Sequence, residues 1–198
     1  MNDGAIPIGR MMRSSTAGFT FGCSVPETDV PAFGAFVRAP VQRGQAQVIG
    51  LIYDIAIEDD LFVRQIVAAA DLPEAYIEDQ RRNRQVPVEV SVLSIGYRNG
   101  GGMFYGMPPQ PPITLDHIHL CPDGEVCDFT GHFDYFRMVL DAPIVPADEL
   151  LAASLRRAAA ARPPEDRAEF LYRAGIELAR LLAMDVIRLE NLLRRIRP

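Results

Sequence analysis

Asp116, His117, His119, Cys121, Cys127 and His132 fall within seventeen residues and form the densest gathering of potential metal ligands in the chain. On a strand His117 and His119 would share a face, because side chains alternate along an extended backbone. Cys121 and Cys127 have five residues between them and make no Cys-x-x-Cys pair. Structural zinc sites draw on tighter pairs than that. The adopted reading is a β-segment ending at Leu120 that runs into a capped helix, with Cys127 a small buried hydrophobe. No catalytic, cofactor-binding or metal-binding residue is assigned, and a metal-binding protein centred on residues 117–132 is the lesser alternative.

Other reactive side chains are less promising. The adjacent acids Asp59-Asp60 and Asp148-Glu149 stand at predicted helix starts, where carboxylates favour the helix dipole. Neither pair has a histidine beside it to complete an acid–base couple. No Gly-x-Ser-x-Gly elbow is present to expose a serine. Cys23 follows Gly22 in a strand-like segment, with no neighbour that would favour its thiolate. Arg81-Arg82-Asn83-Arg84 and Arg194-Arg195-Ile196-Arg197 suit phosphate contact. Both are short and lack aromatic interleaving for base stacking, so they read as a solvated or ion-paired face.

The basic residues carry a sharper exclusion. All 20 are arginine, and the chain has no lysine. A Walker A loop needs lysine for the β- and γ-phosphates, so that loop is absent. Schiff-base chemistry, including pyridoxal phosphate attachment, is excluded for the same reason. The net charge of −6 argues against broad phosphate-driven binding. Residues 151–198 nevertheless hold ten arginines against six acids, which leaves a local contact with nucleic acid or an acidic partner open.

The elements that must position these residues follow from periodicity and punctuation. Short strands are expected at Ile6–Gly9, Gly18–Phe21, Ala35–Ala39, Gln47–Ile55, Val86–Leu93 and Met103–Tyr105, with turns at Ser14–Gly18, Val25–Glu27, Arg43–Gln45 and Asn99–Gly102. Strands at this spacing suggest a barrel, since closure removes exposed edges. Residues 58–85 read as a helical excursion. Four prolines in Pro108–Pro112 mark a connector, beyond which 113–198 reads as a helical region. Helices are expected from Pro122, from Pro146 to Arg162, and from Pro164 onward as one last helix with an apolar stripe from Leu171 to Ile196. No stretch is apolar for long enough to span a membrane. The start has no basic region followed by an apolar run, and three cysteines are too few for a disulfide framework. A cytoplasmic protein is expected.

Ile8-Gly9-Arg10, Ser15–Phe21, Gly34–Val37 and Val48–Ile55 stand in an order similar to that of the HAS barrel. That domain lies at the N-terminus of HerA-type hexameric DNA-translocating ATPases and related rotary ATP synthase subunits. The resemblance covers about the first 110 residues. It implies an α+β protein: a small closed β-barrel over 1–110, completed by strands near 86–95 and 103–107, with the excursion inserted and the helical region following. In the family an ATPase domain with a Walker A lysine follows the barrel. Here lysine is absent and the C-terminal portion is too short for that domain. The chain thus resembles a stand-alone HAS-barrel protein, and the resemblance carries over no catalytic residue.

In the family the barrel is associated with ring assembly and with docking the NurA nuclease in DNA-end processing. The implied role is a non-enzymatic adaptor or assembly protein that binds a HerA-like ATPase or NurA-like nuclease, without a cofactor and away from membranes. Oligomer formation is left open. The alternative from another class is a nucleic-acid-binding module using the arginine clusters.

Overall fold

The computed structural model describes residues 7–25, 31–57, 73 and 86–197. The expected helical excursion at 58–85, the turn after Val25, Asp59-Asp60 and the Arg81–Arg84 cluster lie outside the described residues, apart from Val25 and Pro73. What is described is an α+β protein. Strands β1 (Pro7–Ser14), β2 (Gly18–Val25), β3 (Phe36–Val41), β4 (Ala46–Ile57), β5 (Val86–Asn99), β6 (Gly102–Phe104) and β7 (His117–Leu120) form one antiparallel sheet. The sheet runs β2-β1-β7-β3-β4-β5-β6, and β2 also pairs with β5. That last pairing closes six strands into a barrel, with β6 attached outside the ring.

The closure differs from the expectation in one respect. Met103–Tyr105 was expected to complete the barrel, yet β6 only extends the far end of β5. The ring is completed by β7, which comes from beyond the proline connector and lies between β1 and β3. Four residues suffice because both of its edges are paired, so the segment needs little intrinsic strand propensity. The β5–β6 hairpin keeps its glycine turn. Gly102 adopts φ +121°, a conformation side chains resist, and Gly101 N–H donates to Asn99 Oδ1 at 2.8 Å.

Side-chain alternation divides two cores. Inward residues, among them Met11, Phe21, Val37, Val48, Val90 and Ile118, fill the barrel. Outward residues of β3, β4 and β5, including Phe36, Ile49, Leu51 and Ile95, belong to a second core shared with the helices. Ile95 shares the outward parity of Leu93, and the ladder bulges at it: Ile49 faces Gly96 and Gly50 faces Ser94, which leaves Ile95 as the extra residue on β5.

Five helices build the outer layer: α1 (Asp123–Phe129), α2 (Tyr135–Leu140), α3 (Ala147–Ala160), α4 (Pro164–Leu181) and α5 (Val186–Ile196). α3 buries Leu150, Leu151, Ser154, Leu155 and Ala158, so its surroundings are protein on most sides. The apolar stripe expected on one final helix is divided between α4 and α5. Asp185 ends the interruption by accepting a hydrogen bond from Arg188 N–H at 3.1 Å, an N-cap that starts α5 in a new direction. The fold-back lets Leu192 and Ile196 join the same core as Ala174 and Leu178, which one straight rod would hold apart. Among the described residues, no helix is long and apolar enough to cross a membrane.

Candidate functional site

The six potential ligands do not meet at one point. His117 and His119 share the outer face of β7, as expected, with ring centroids 6.3 Å apart. Asp116 holds the end of the connector to β1, its carbonyl accepting from Met11 N–H at 2.9 Å. Cys121 is buried just before α1. Cys127 is half-buried on α1, and its Sγ donates to the Ala161 carbonyl at 3.4 Å. The His132 ring lies near Tyr105 instead, 5.9 Å between centroids. Among the described residues, no three His, Cys, Asp or Glu side chains gather as a metal site would require.

A different polar group occupies the joint between barrel and helices. Glu125, on the first turn of α1, is 6% exposed and lies between two strand arginines. Its Oε2 is 3.3 Å from Arg38 Nη1 on β3, and its Oε1 is 2.9 Å from Arg98 Nη2 on β5. Arg98 also donates to Gln47 Oε1 on β4 at 3.1 Å. Burial pushes the Cys121 thiol well above its ordinary range, and the neighbouring Glu125 carboxylate adds to the effect. His119 stands across from Arg38 in the β3–β7 register. Burial lowers its pKa, and Arg38 and His117 reinforce that direction. Sequence reasoning missed this group. The available signal was Glu125 itself, beside Val126 and one turn before Phe129, where a helix entering a core places apolar side chains.

The remaining charged motifs are structural links. Asp148 receives Arg188 at 2.7 Å, and Glu149 receives Arg195 at 2.6 Å, so the acid pair ties the start of α3 to α5. Arg194 is held by Glu190 at 2.5 Å. Arg162, which ends the α3 segment, donates to Thr130 Oγ1 at 2.8 Å and stacks over the Phe170 ring at 3.7 Å. The C-terminal arginine cluster is therefore partly neutralised by its own fold.

The helices clad only part of the barrel. Among the described residues, no side chain of β1, β2 or β7 joins the helical core, and the outward Met12 of β1 and His117 of β7 are exposed. In the β1–β7 register Arg10 faces His117, which places both outside because their neighbours Met11 and Ile118 point inward. Met12 is 51% exposed beside them. The connector runs along the same edge: Leu115 N–H donates to Met11 O at 2.9 Å, and Arg10 Nη1 donates to Leu115 O at 3.1 Å. Ile113 and Leu115 are thereby presented to solvent, the latter 71% exposed. The result is an apolar strip edged by Arg10, Arg13 and His117. Next to it, a groove of about 400 Å³ lies between the β1–β2 hairpin, Tyr53 and Leu93, and the turn at Ala142–Val145.

No protein-family model matches the chain, and no curated protein matches it either.

Proposed function

We propose that the chain is a non-enzymatic adaptor that docks a protein partner on the outer face of its barrel. The observation that carries this reading is the strip of Met12, Ile113 and Leu115, all exposed where the connector runs along β1. Apolar side chains grouped beside arginine are the composition of a contact surface, since arginine combines apolar stem burial with charge pairing. The closed antiparallel barrel is compatible with the resemblance to HAS barrels, which suggests a HerA-type ATPase or NurA-type nuclease as partner.

The test uses purified components. The chain is titrated calorimetrically with a HerA-type ATPase and with a NurA-type nuclease from its own host, and ATP turnover is followed with the chain alone. Saturable binding that Leu115→Asp or Met12→Asp removes is the expected result. The reading fails if neither protein binds, or if binding is indifferent to both substitutions.

A further inference from the structure

The outward side of α4 carries a second surface, distinct from the barrel strip. Ala174 and Leu178 of this helix are fully buried, while Tyr172 and Ile176 are 66% and 54% exposed. Tyr172, Ile176 and Ala179 recur at four- and three-residue intervals, which places them in one row along the helix, and Ala183 follows in the turn just past its end. All four are exposed. Beyond the end of α4, Met184 and Val186 extend the apolar surface. A helix belonging to a finished core would show a charged outer face here. This one shows a seam with two large apolar side chains and two alanines, small enough to admit another helix closely.

The charges beside the seam say what that helix is. Glu169, Arg173, Glu177 and Arg180 follow one flank at the same three- and four-residue spacing, and their signs alternate. We infer that this face joins two copies of the chain, α4 lying antiparallel against α4 of the second copy. With the two-fold axis near Ala174 and Gly175, Glu169 faces Arg180 of the second copy, while Arg173 keeps its own-copy hydrogen bond to the Gly131 carbonyl at 3.4 Å. Tyr172 then meets Ile176 of the second copy across the seam. In an antiparallel helix pair each flank meets its own equivalent, and two-fold symmetry makes every such contact occur twice. In a parallel pair this charged flank would meet the opposite flank of the second helix, where Ala168, Leu171 and Gly175 carry no charge, so complementarity selects the antiparallel arrangement. Within one copy Arg180 already holds Glu177 at 2.5 Å, and association adds Glu169 of the second copy to that pair.

Sedimentation velocity of the full chain over a range of concentrations tests the assignment. A concentration-dependent dimer is expected, and Ile176→Asp should render it monomeric while the circular dichroism spectrum stays unchanged. Glu169→Arg alone, or Arg180→Glu alone, should weaken association roughly tenfold, because each removes two symmetry-related pairs and sets like charges together. Combining the two substitutions should restore it. A chain that stays monomeric at every concentration overturns the inference, as does a dimer indifferent to Ile176→Asp or a double variant no better than the singles. Leu115→Asp on the barrel strip should leave dimer formation intact, which keeps this result separate from the adaptor reading.

Discussion

Glu125 and Arg38 approach to 3.3 Å with side chains only 5% and 7% exposed, so an ion pair fastens the first helix to the third strand of the barrel. Arg98 joins from β5 at 2.9 Å with its side chain 42% exposed. The group lies where two separately apolar layers meet, and it links parts of the chain far apart in sequence. Burial of such a group costs much of what its attraction returns, so its effect on stability is felt mainly when one member is removed.

Glu125→Ala should therefore lower unfolding free energy by about 3 kcal/mol, because it takes a buried carboxylate away from two guanidinium groups. Arg98→Ala should cost less, since that side chain already reaches water. Replacing Arg38 by Met and Glu125 by Leu together should recover much of the loss. Urea denaturation measures all three, and an unchanged midpoint for Glu125→Ala would show that the joint does not depend on this pair.

Stability should fall as pH is lowered through the ordinary histidine range, partly through His119. Burial, with Arg38 and His117 nearby, holds its folded pKa below the ordinary histidine value. The unfolded chain then binds the proton more readily than the native one, so stability is greatest above the ordinary value and declines as pH falls toward the lowered one. His119→Asn should flatten that part of the profile in thermal melts; an unaltered slope would refute the assignment. Glu177 acts in a separate range. Its hydrogen bond from Arg180 lowers its pKa, so its contribution is present above the ordinary carboxylate value and is lost as pH drops through the lowered one.

Gly18 tests the closing seam of the barrel. A Cβ there would lie 2.4 Å from the Val92 carbonyl oxygen, and backbone cannot rotate aside as a side chain can. Gly18→Ala should destabilise the fold by about 2 kcal/mol through strain in the β2–β5 ladder. Gly100 at the β5–β6 hairpin has nothing within 4 Å of such a Cβ. Gly100→Ala should be nearly neutral in the same chemical denaturation series, and equal effects would contradict the closure.

The three thiols should react in a definite order. Cys23 and Cys121 are buried, and burial raises both thiol pKa values. Cys127 is half-buried with its sulfur near the end of α3. Alkylation of the native protein followed by peptide mass spectrometry should mark Cys127 first, with the other two labelled only on unfolding. Early modification of Cys121 would mean that the α1 joint opens.

Much of the barrel was legible before any coordinates. The alternation in Gly18–Phe21 and the β-branched run in Gln47–Ile55 report a two-sided backbone, because their apolar residues repeat at the strand period. Pro146 and Pro164 likewise announce helices that exist, as does the acid-rich first turn of each. The absence of lysine removed whole reaction classes without any structure at all.

His117–Leu120 shows where local reading stops. Four residues carry too little periodicity to declare their partners, and only the approach of β1 and β3 makes them the strand that closes the ring. The division between α4 and α5 is similar: the stripe from Leu171 to Ile196 keeps helical spacing through the break, and it is packing of Leu192 and Ile196 on the common core that bends the chain. Glu125 reads locally as one more carboxylate in a first turn. Its part in the joint arises from Arg38 and Arg98, which lie 87 and 27 residues away along the chain. Short-range order is written in neighbouring side chains, so the sequence by itself determined most of the barrel strands, the helix starts at Pro146 and Pro164 and the lysine-dependent chemistries it excludes. Closure, fold-back and the buried ion pair depend on residues that meet only after collapse, and the tertiary structure alone decided them.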